Sequence, residues 1–154
     1  MRAGEIAMTE DGIRLRAAGD ADAAAIEALL GGLSLPLDGV REWIRHFWVG
    51  ESGGRLVGVA GIEVYHDGAL LRSVAVDPGW RSSGLGRALV DQAMASARAA
   101  GATEIFLLTT TAEGYFPRLG FETTSRDRVP AGVQASVEFQ DACPASAVVM
   151  RRAL

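Results

Sequence analysis

The stretch LRSVAVDPGWRSSGLGRALVDQAMASARAAG, residues 71–101, decides the reading of this chain. Its first six residues are apolar and β-favouring around one arginine, as in a buried strand. Asp77-Pro78-Gly79 then breaks the strand, and a long run with helical apolar spacing follows from Gly84. Between them lies the bend Arg81-Ser82-Ser83-Gly84-Leu85-Gly86-Arg87. Glycines there let backbone approach a ligand closely, and the first helical amides have no intrahelical partner. Such a helix start attracts phosphate through free N–H groups and the positive dipole end. The segment therefore reads as an anion cradle between a strand and a helix.

Composition narrows what the anion belongs to. The chain has 154 residues, 49% hydrophobic and 22% charged, which suits one globular domain with a full core. A net charge of −4 argues against a general nucleic-acid binder. All fifteen basic residues are arginine, so no lysine is available as base or Schiff-base former. One cysteine, Cys143, and two histidines, His46 and His66, make metal chemistry an unpromising reading, and none is expected. Cys143 reads as a small packing residue. No run reaches membrane-spanning length and no signal sequence is read at the N-terminus, so a cytoplasmic location is the default expectation.

Outward from the cradle, residues 1–12 read as a flexible lead-in and 13–154 as one domain. Residues 13–18 alternate as a strand. Asp20 offers an N-cap to a helix ending at Gly31-Gly32, with Ala23, Ile26, Leu29 and Leu30 inward. Leu33 to Leu37 is an apolar loop, and Asp38 caps an expected second helix over 39–46. A strand from Phe47 and a long strand from Leu56 to Tyr65 follow. After the cradle helix (inward Leu85, Leu89, Ala93, Ala97, Ala100), the pattern predicts a strand at 104–110, a weak helix at 111–118 and a strand at 121–125. The segment 130–139 reads as loop or short helix, and a last strand covers 145–152. This order suggests one α/β domain with a mixed sheet of six to seven strands flanked by about four helices.

Asp67-Gly68 is a hairpin signal. A loop of just those two residues sets Tyr65 opposite Leu70, Glu63 opposite Arg72 and Gly61 opposite Val74. Glu63 and Arg72 then share one face as cross-strand neighbours. Two readings stand for this pair: a structural ion pair, or a substrate site. In the second, Arg72 holds a carboxylate while Glu63 attracts, and through water deprotonates, an ammonium group. That arrangement suits an amino acid. His46, after the lid-like loop, is a further candidate substrate contact.

Arg81-Ser82-Ser83-Gly84-Leu85-Gly86 resembles the R/Q-x-x-G-x-G/A signature of the GNAT acyltransferases, with SVAVDP immediately before it and Leu119-Gly120-Phe121 downstream. The resemblance covers roughly residues 13–152. LLRSVAV, FLLTTTAEGYF, LPLDGV and VEFQDACPASAVVM look in particular like the arsenic-resistance-associated N-acetyltransferases. LLTTTA is also similar to the acetyltransferase domain of N-acetylglutamate synthases.

The resemblance implies a GNAT-type domain that uses acetyl-CoA as co-substrate, with pantetheine along Val74, Ala75 and Val76. It places the pyrophosphate on the amides of Arg81, Ser82, Ser83, Gly84, Leu85, Gly86 and Arg87. The side chain of Arg87 is available for a charge-assisted contact, and Thr109 falls where relatives carry an asparagine that contacts the cofactor. An oxyanion donor is implied near Val76, where the family strand bulges. Relatives place a tyrosine, acting as leaving-group acid, four residues before the glycine of LGF. Here that position is Phe116, with Tyr115 beside it. One helical residue is about 100° of rotation, which favours a wall or core role for Tyr115. A thiolate leaving unassisted or through water, and help from Thr109, are the alternatives.

The expected function is acetylation of a small amine, an amino acid or a toxic analogue such as phosphinothricin or arsinothricin, by direct attack within a ternary complex. The rivals are a protein N-terminal acetyltransferase and an acyl-CoA-binding sensor without catalysis. The expected partner is a small-molecule amine, with no nucleic acid and no membrane, and the family's frequent dimerisation is an implication of the resemblance.

Overall fold

The computed structural model describes residues 5–8, 12–142 and 146–154, with side chains described for 12–140 and 146–154. Cys143 lies outside the described residues. One eight-stranded sheet runs in the order β1-β2-β3-β4-β5-β6-β8-β7. Its strands are β1 (Glu5–Met8), β2 (Arg14–Ala17), β3 (Phe47–Ser52), β4 (Arg55–Tyr65), β5 (Gly68–Val76), β6 (Glu104–Thr109), β7 (Glu122–Thr124) and β8 (Val148–Ala153). β1 falls inside the segment expected to be lead-in, and it adds a strand to the six or seven expected.

The ladder is antiparallel except between β5 and β6, where parallel pairs join Ala69 to Ile105 and Leu70 to Phe106. Among the described residues no further β5–β6 pair forms beyond Leu70 and Phe106, so the two strands part along Arg72–Val76. Parallel strands need a crossover, and α2 (Leu85–Ala99) supplies it.

Helices cover both faces of the sheet. Leu85, Leu89, Val90, Ala93, Met94 and Ala97 of α2 are buried against Val57, Ile62, Leu71, Ile105 and Leu107. The buried stripe runs through Val90 and Met94, whereas Ala100, expected inward, lies past the helix and is exposed. Leu85 and Leu89 come close because Gly50 and Gly58 lack a Cβ; one at Gly58 would stand 2.7 Å from Leu85. On the opposite face, α1 (Ala23–Gly32) packs Ile26 and Leu30 with Val40, Phe47, Val49 and Val59. Its N-cap position is Asp22, not Asp20, because Asp20–Asp22 form a 3-10 turn first. The short α3 (Ala131–Gln134) helps bury Leu70 and Phe106 through Val133.

Three local expectations give way to tertiary packing. The helix expected at 39–46 is a chain of turns ending in a 3-10 turn at Ile44–His46. Gly39 has φ +82°, a left-handed conformation that stops a right-handed helix there. The helix expected at 111–118 reduces to a 3-10 turn at Phe116–Leu119, consistent with Gly114 and Pro117. The hairpin loop is His66-Asp67, so Tyr65 pairs with Gly68 and Glu63 with Leu70. Gly68 stays in the strand, where an added Cβ would press on Val133 at 3.2 Å. Asp67 Oδ2 meanwhile accepts the N–H of Gly132 at 2.8 Å, tying the hairpin to α3.

Candidate active site

The shifted register sets Arg72 opposite Gly61 rather than Glu63. A slip of two residues preserves side-chain parity, so Glu63 and Arg72 remain on one face as diagonal neighbours. They meet: Arg72 Nη1 donates to Glu63 Oε2 at 2.7 Å, with side chains 0% and 1% exposed. The missing side chain of Gly61 admits the ring of Phe47 beside this pair. The Arg72 guanidinium carbon lies 5.9 Å from that ring's centroid.

Two residues complete the charged cluster. Tyr65 donates its hydroxyl to Glu63 Oε1, so both Glu63 oxygens are engaged. Burial first, then the hydrogen bond to Glu63, holds the Tyr65 phenol well above its ordinary pKa. Glu138 lies in a π-helical turn at Glu138–Ala142, with Oε2 at 3.5 Å from Arg72 Nε. That Nε also donates to Ser73 Oγ at 3.0 Å. Burial pushes the Glu138 carboxyl up to about 7 despite Arg72, and Glu63 and Asp38 push the same way as burial. Arg72 Nη2 is buried with no hydrogen-bond partner among the described residues. An unsatisfied buried donor costs about 1–3 kcal/mol, so this one favours an incoming acceptor.

Gly39 closes the cluster from above. A Cβ there would stand 2.7 Å from Arg72 Nη1 and 3.6 Å from Glu63 Oε2. His46, by contrast, is exposed and approaches only indirectly. Its ring meets Trp43 at 5.5 Å between centroids, and Trp43 meets Tyr65 at 5.6 Å.

Next to Arg72, β5 is irregular. Val59 pairs with Ala75 and Gly61 with Arg72, which leaves an extra residue on β5. Ser73 carries it, with φ +58°, uncommon for a non-glycine residue. The bulge therefore lies at Ser73-Val74, not at Val76, which is paired with Gly58.

The expected cofactor residues other than Thr109 gather at the open edge of β5 and the start of α2. Arg81 Nε donates to Val76 O at 3.4 Å, Ser83 Oγ donates to Trp80 O at 2.6 Å, and Leu85 N–H reaches Ser83 Oγ at 3.3 Å. Ser82 (φ +68°) and Gly84 (φ +83°) turn the chain, and Gly84, the N-cap residue of α2, has no side chain to cap the helix. The parted strands, unpaired β5 edge and uncapped helix start fit a long ligand with an anionic end. Tyr115, half exposed, sends its hydroxyl to this place: an added Cβ at Gly86 would stand 2.7 Å from Tyr115 Oη and 3.5 Å from Val76 Cγ2. Burial, partly offset by Arg87, raises its phenol pKa and keeps it protonated. Phe116 instead packs edge-on with Phe121 in the core. Thr109 Oγ1 accepts the N–H of Ala112 at 2.9 Å and so braces the turn after β6. Among the described residues, no group of three His, Cys, Asp or Glu side chains is placed to hold a metal ion.

Strand order, bulge and cradle together define an acyltransferase of the GNAT type. The acetyltransferase (GNAT) domain family model matches residues 43–123, and the chain belongs to that family. It is 33% identical over 118 residues to an uncharacterized N-acetyltransferase of Chlorobaculum tepidum, covering 71% of this chain and 76% of that protein. It is 35% identical over 96 residues to the amino-acid acetyltransferase of Mycobacterium tuberculosis, covering 60% and 55%. A solved Mycobacterium tuberculosis protein in complex with CoA superposes with TM-score 0.76 and 28% identity, over 91% of this chain and 98% of that one. The match to the Pseudomonas fluorescens amino-acid acetyltransferase spans 23% of that relative's length. The protein is thus an N-acetyltransferase, and acetyl-CoA is the co-substrate that fits its family.

Sequence reasoning missed Glu138, Tyr65, Ser73 and Gly39 as members of the site. The signals available for Glu138 were a carboxylate between Val137 and Phe139 and its place in the segment VEFQDACPASAVVM. For Gly39 and Ser73 the cause is a left-handed backbone, which sequence pattern does not disclose at a serine.

Proposed function

We propose that the chain acetylates the α-amine of an acidic amino acid, either glutamate or a phosphorus- or arsenic-containing analogue such as phosphinothricin or arsinothricin. The observation that carries this is the buried Arg72 with Nη2 unpaired, beside two carboxylates and beneath Gly39. Arg72 takes the substrate carboxylate through Nη2, an N–H geometry that suits an anionic oxygen. Glu63 supplies the opposite charge for the ammonium. It stays anchored by Tyr65, and His46 stands two rings away, beyond Trp43 and Tyr65. Gly39 lies directly over the pair, which suits a small amino acid better than a peptide crossing an open groove. The amino-acid acetyltransferase match supports the same class.

For the co-substrate, Val74, Ala75 and Val76 offer backbone groups to pantetheine, the amides of Arg81 through Arg87 hold the pyrophosphate end, and Thr109 stands where relatives carry an asparagine that contacts the cofactor. Acetyl-CoA supplies a thioester whose carbonyl gains negative charge on attack. The bulge at Ser73-Val74 takes a backbone N–H out of the ladder and offers it to that oxygen. Tyr115, protonated and beside Gly86, is the donor for the departing thiolate. No covalent enzyme intermediate is required, because the held amine attacks directly.

Arg72→Lys tests the assignment, since lysine retains the charge but loses the fork. We expect kcat/KM for phosphinothricin and glutamate to fall about 100-fold, mostly through KM, with CoA affinity unchanged. Unaltered kcat/KM in a folded variant contradicts it.

A further inference from the structure

Glu138 is the buried titratable group to which acetyl transfer, as described so far, gives no role. It stands on the far side of Arg72 from Glu63, 4% exposed, on a segment remote in sequence from β4 and β5. The charged and titratable groups facing it are Arg72 on β5, Glu63 and Tyr65 on β4, and Asp38 in the turns after α1. Its carboxylate lies beside Arg72 Nε, whose other acceptor is Ser73 Oγ at the bulge. One side chain therefore separates Glu138 from the backbone assigned to the thioester oxygen.

We propose that Glu138, rather than Glu63, is the general base that accepts the proton of the substrate ammonium. Glu63 is poorly suited to that task. One of its oxygens accepts from Arg72 and the other from Tyr65, so a proton placed there would neutralise the charge on which both bonds rest. Among the described residues Glu138 has a single polar side-chain contact, at 3.5 Å, longer than a good hydrogen bond. Its carboxyl, held near 7 by burial, is divided between both protonation states at neutral pH, as an efficient base requires.

In the first step an ammonium proton passes to a Glu138 oxygen, leaving the amine lone pair free. Nitrogen bonds to the acetyl carbon, and the carbon–sulfur bond breaks with its electron pair on sulfur. The second nitrogen proton and the thiolate combine through Tyr115 or water, and Glu138 returns its proton to solvent. This role rests on the amino-acid substrate proposed above and deepens it.

The test compares wild type, Glu138→Gln and Glu138→Asp with phosphinothricin and glutamate across pH. Glu138→Gln should lose about 100-fold in kcat near neutral pH with KM within about threefold. Its acidic limb should move up toward the ionisation of the amine itself, so the deficit narrows in alkali. Glu138→Asp should keep the wild-type limb at reduced rate. Independently of turnover, carbon-13 NMR of carboxyl-labelled glutamates without acetyl-CoA should show one wild-type resonance titrating near 7 that Glu138→Gln removes. Equal rates and an unmoved limb in Glu138→Gln overturn the base role while leaving the substrate reading intact. So does an ordinary carboxylate titration in the wild type, even if the glutamine variant does not fold. Absence of turnover by wild type on every amine overturns both.

Discussion

Arg72 and Glu63 are joined at 2.7 Å although the β-ladder pairs neither with the other: Glu63 faces Leu70, and Arg72 faces Gly61. The contact is a diagonal one, made by long side chains reaching across a shared face. Because both are fully buried, removing one leaves an uncompensated charge, which costs about 3–5 kcal/mol. Arg72→Met should therefore lower stability by about 3 kcal/mol in urea unfolding. The double variant Arg72→Met/Glu63→Gln should recover part of it.

Glu138 makes stability depend on pH in a direction opposite to that of salt-bridged carboxylates. Its carboxyl is raised from 4.5 to about 7, so below 4.5 it is protonated whether folded or not and its burial is uncharged. As pH rises from 4.5 to 7 the unfolded chain binds fewer protons than the folded one, and stability falls; above 7 this contribution is flat. A tenfold change in proton affinity corresponds to about 1.4 kcal/mol, so the loss across this window is a few kcal/mol. Glu138→Gln should remove that slope in unfolding experiments, and should be no less stable than wild type above pH 7.

Gly39→Ala should act on substrate more than on fold. The added methyl meets Arg72 Nη1 and must adopt φ +82°. We expect about 1–2 kcal/mol of destabilisation and a tenfold rise in KM for the amino acid, measured by initial rates, with KM for acetyl-CoA unchanged.

Tyr115 and Phe116 divide duties that a single helical position would have combined. Tyr115→Phe should lower kcat about tenfold without changing the melting temperature, since its hydroxyl points to the cradle rather than the core. Phe116→Tyr should instead destabilise, by placing a hydroxyl among Phe121 and its neighbours. Rate and melting measurements on both variants check the division.

The α2 cradle, the strand before it and the Glu63–Arg72 face were legible because each rests on local pattern: glycine spacing, β-branched runs and side-chain parity. Parity also explains why the pair was found with the wrong register, since a slip of two residues conserves faces. What chose the register is tertiary: Gly68 must stay in β5 beside Val133, and Asp67 is taken by Gly132 of α3. The helix expected at 39–46 failed at a glycine committed to positive φ over the charged pair. Glu138 was illegible for a similar reason. Its role depends on a carboxylate from near residue 140 meeting an arginine of β5, and no sequence period encodes that meeting.

Whether this site acetylates an acidic amino acid is tested most directly by thiol release from acetyl-CoA. The panel of amines should hold glutamate, phosphinothricin, arsinothricin, other amino acids and N-terminal peptides. Turnover concentrated on the acidic amino acid or its phosphorus and arsenic analogues, with peptides inert, is the predicted result. Tight acetyl-CoA binding without turnover on any amine, or turnover on peptides alone, would contradict it.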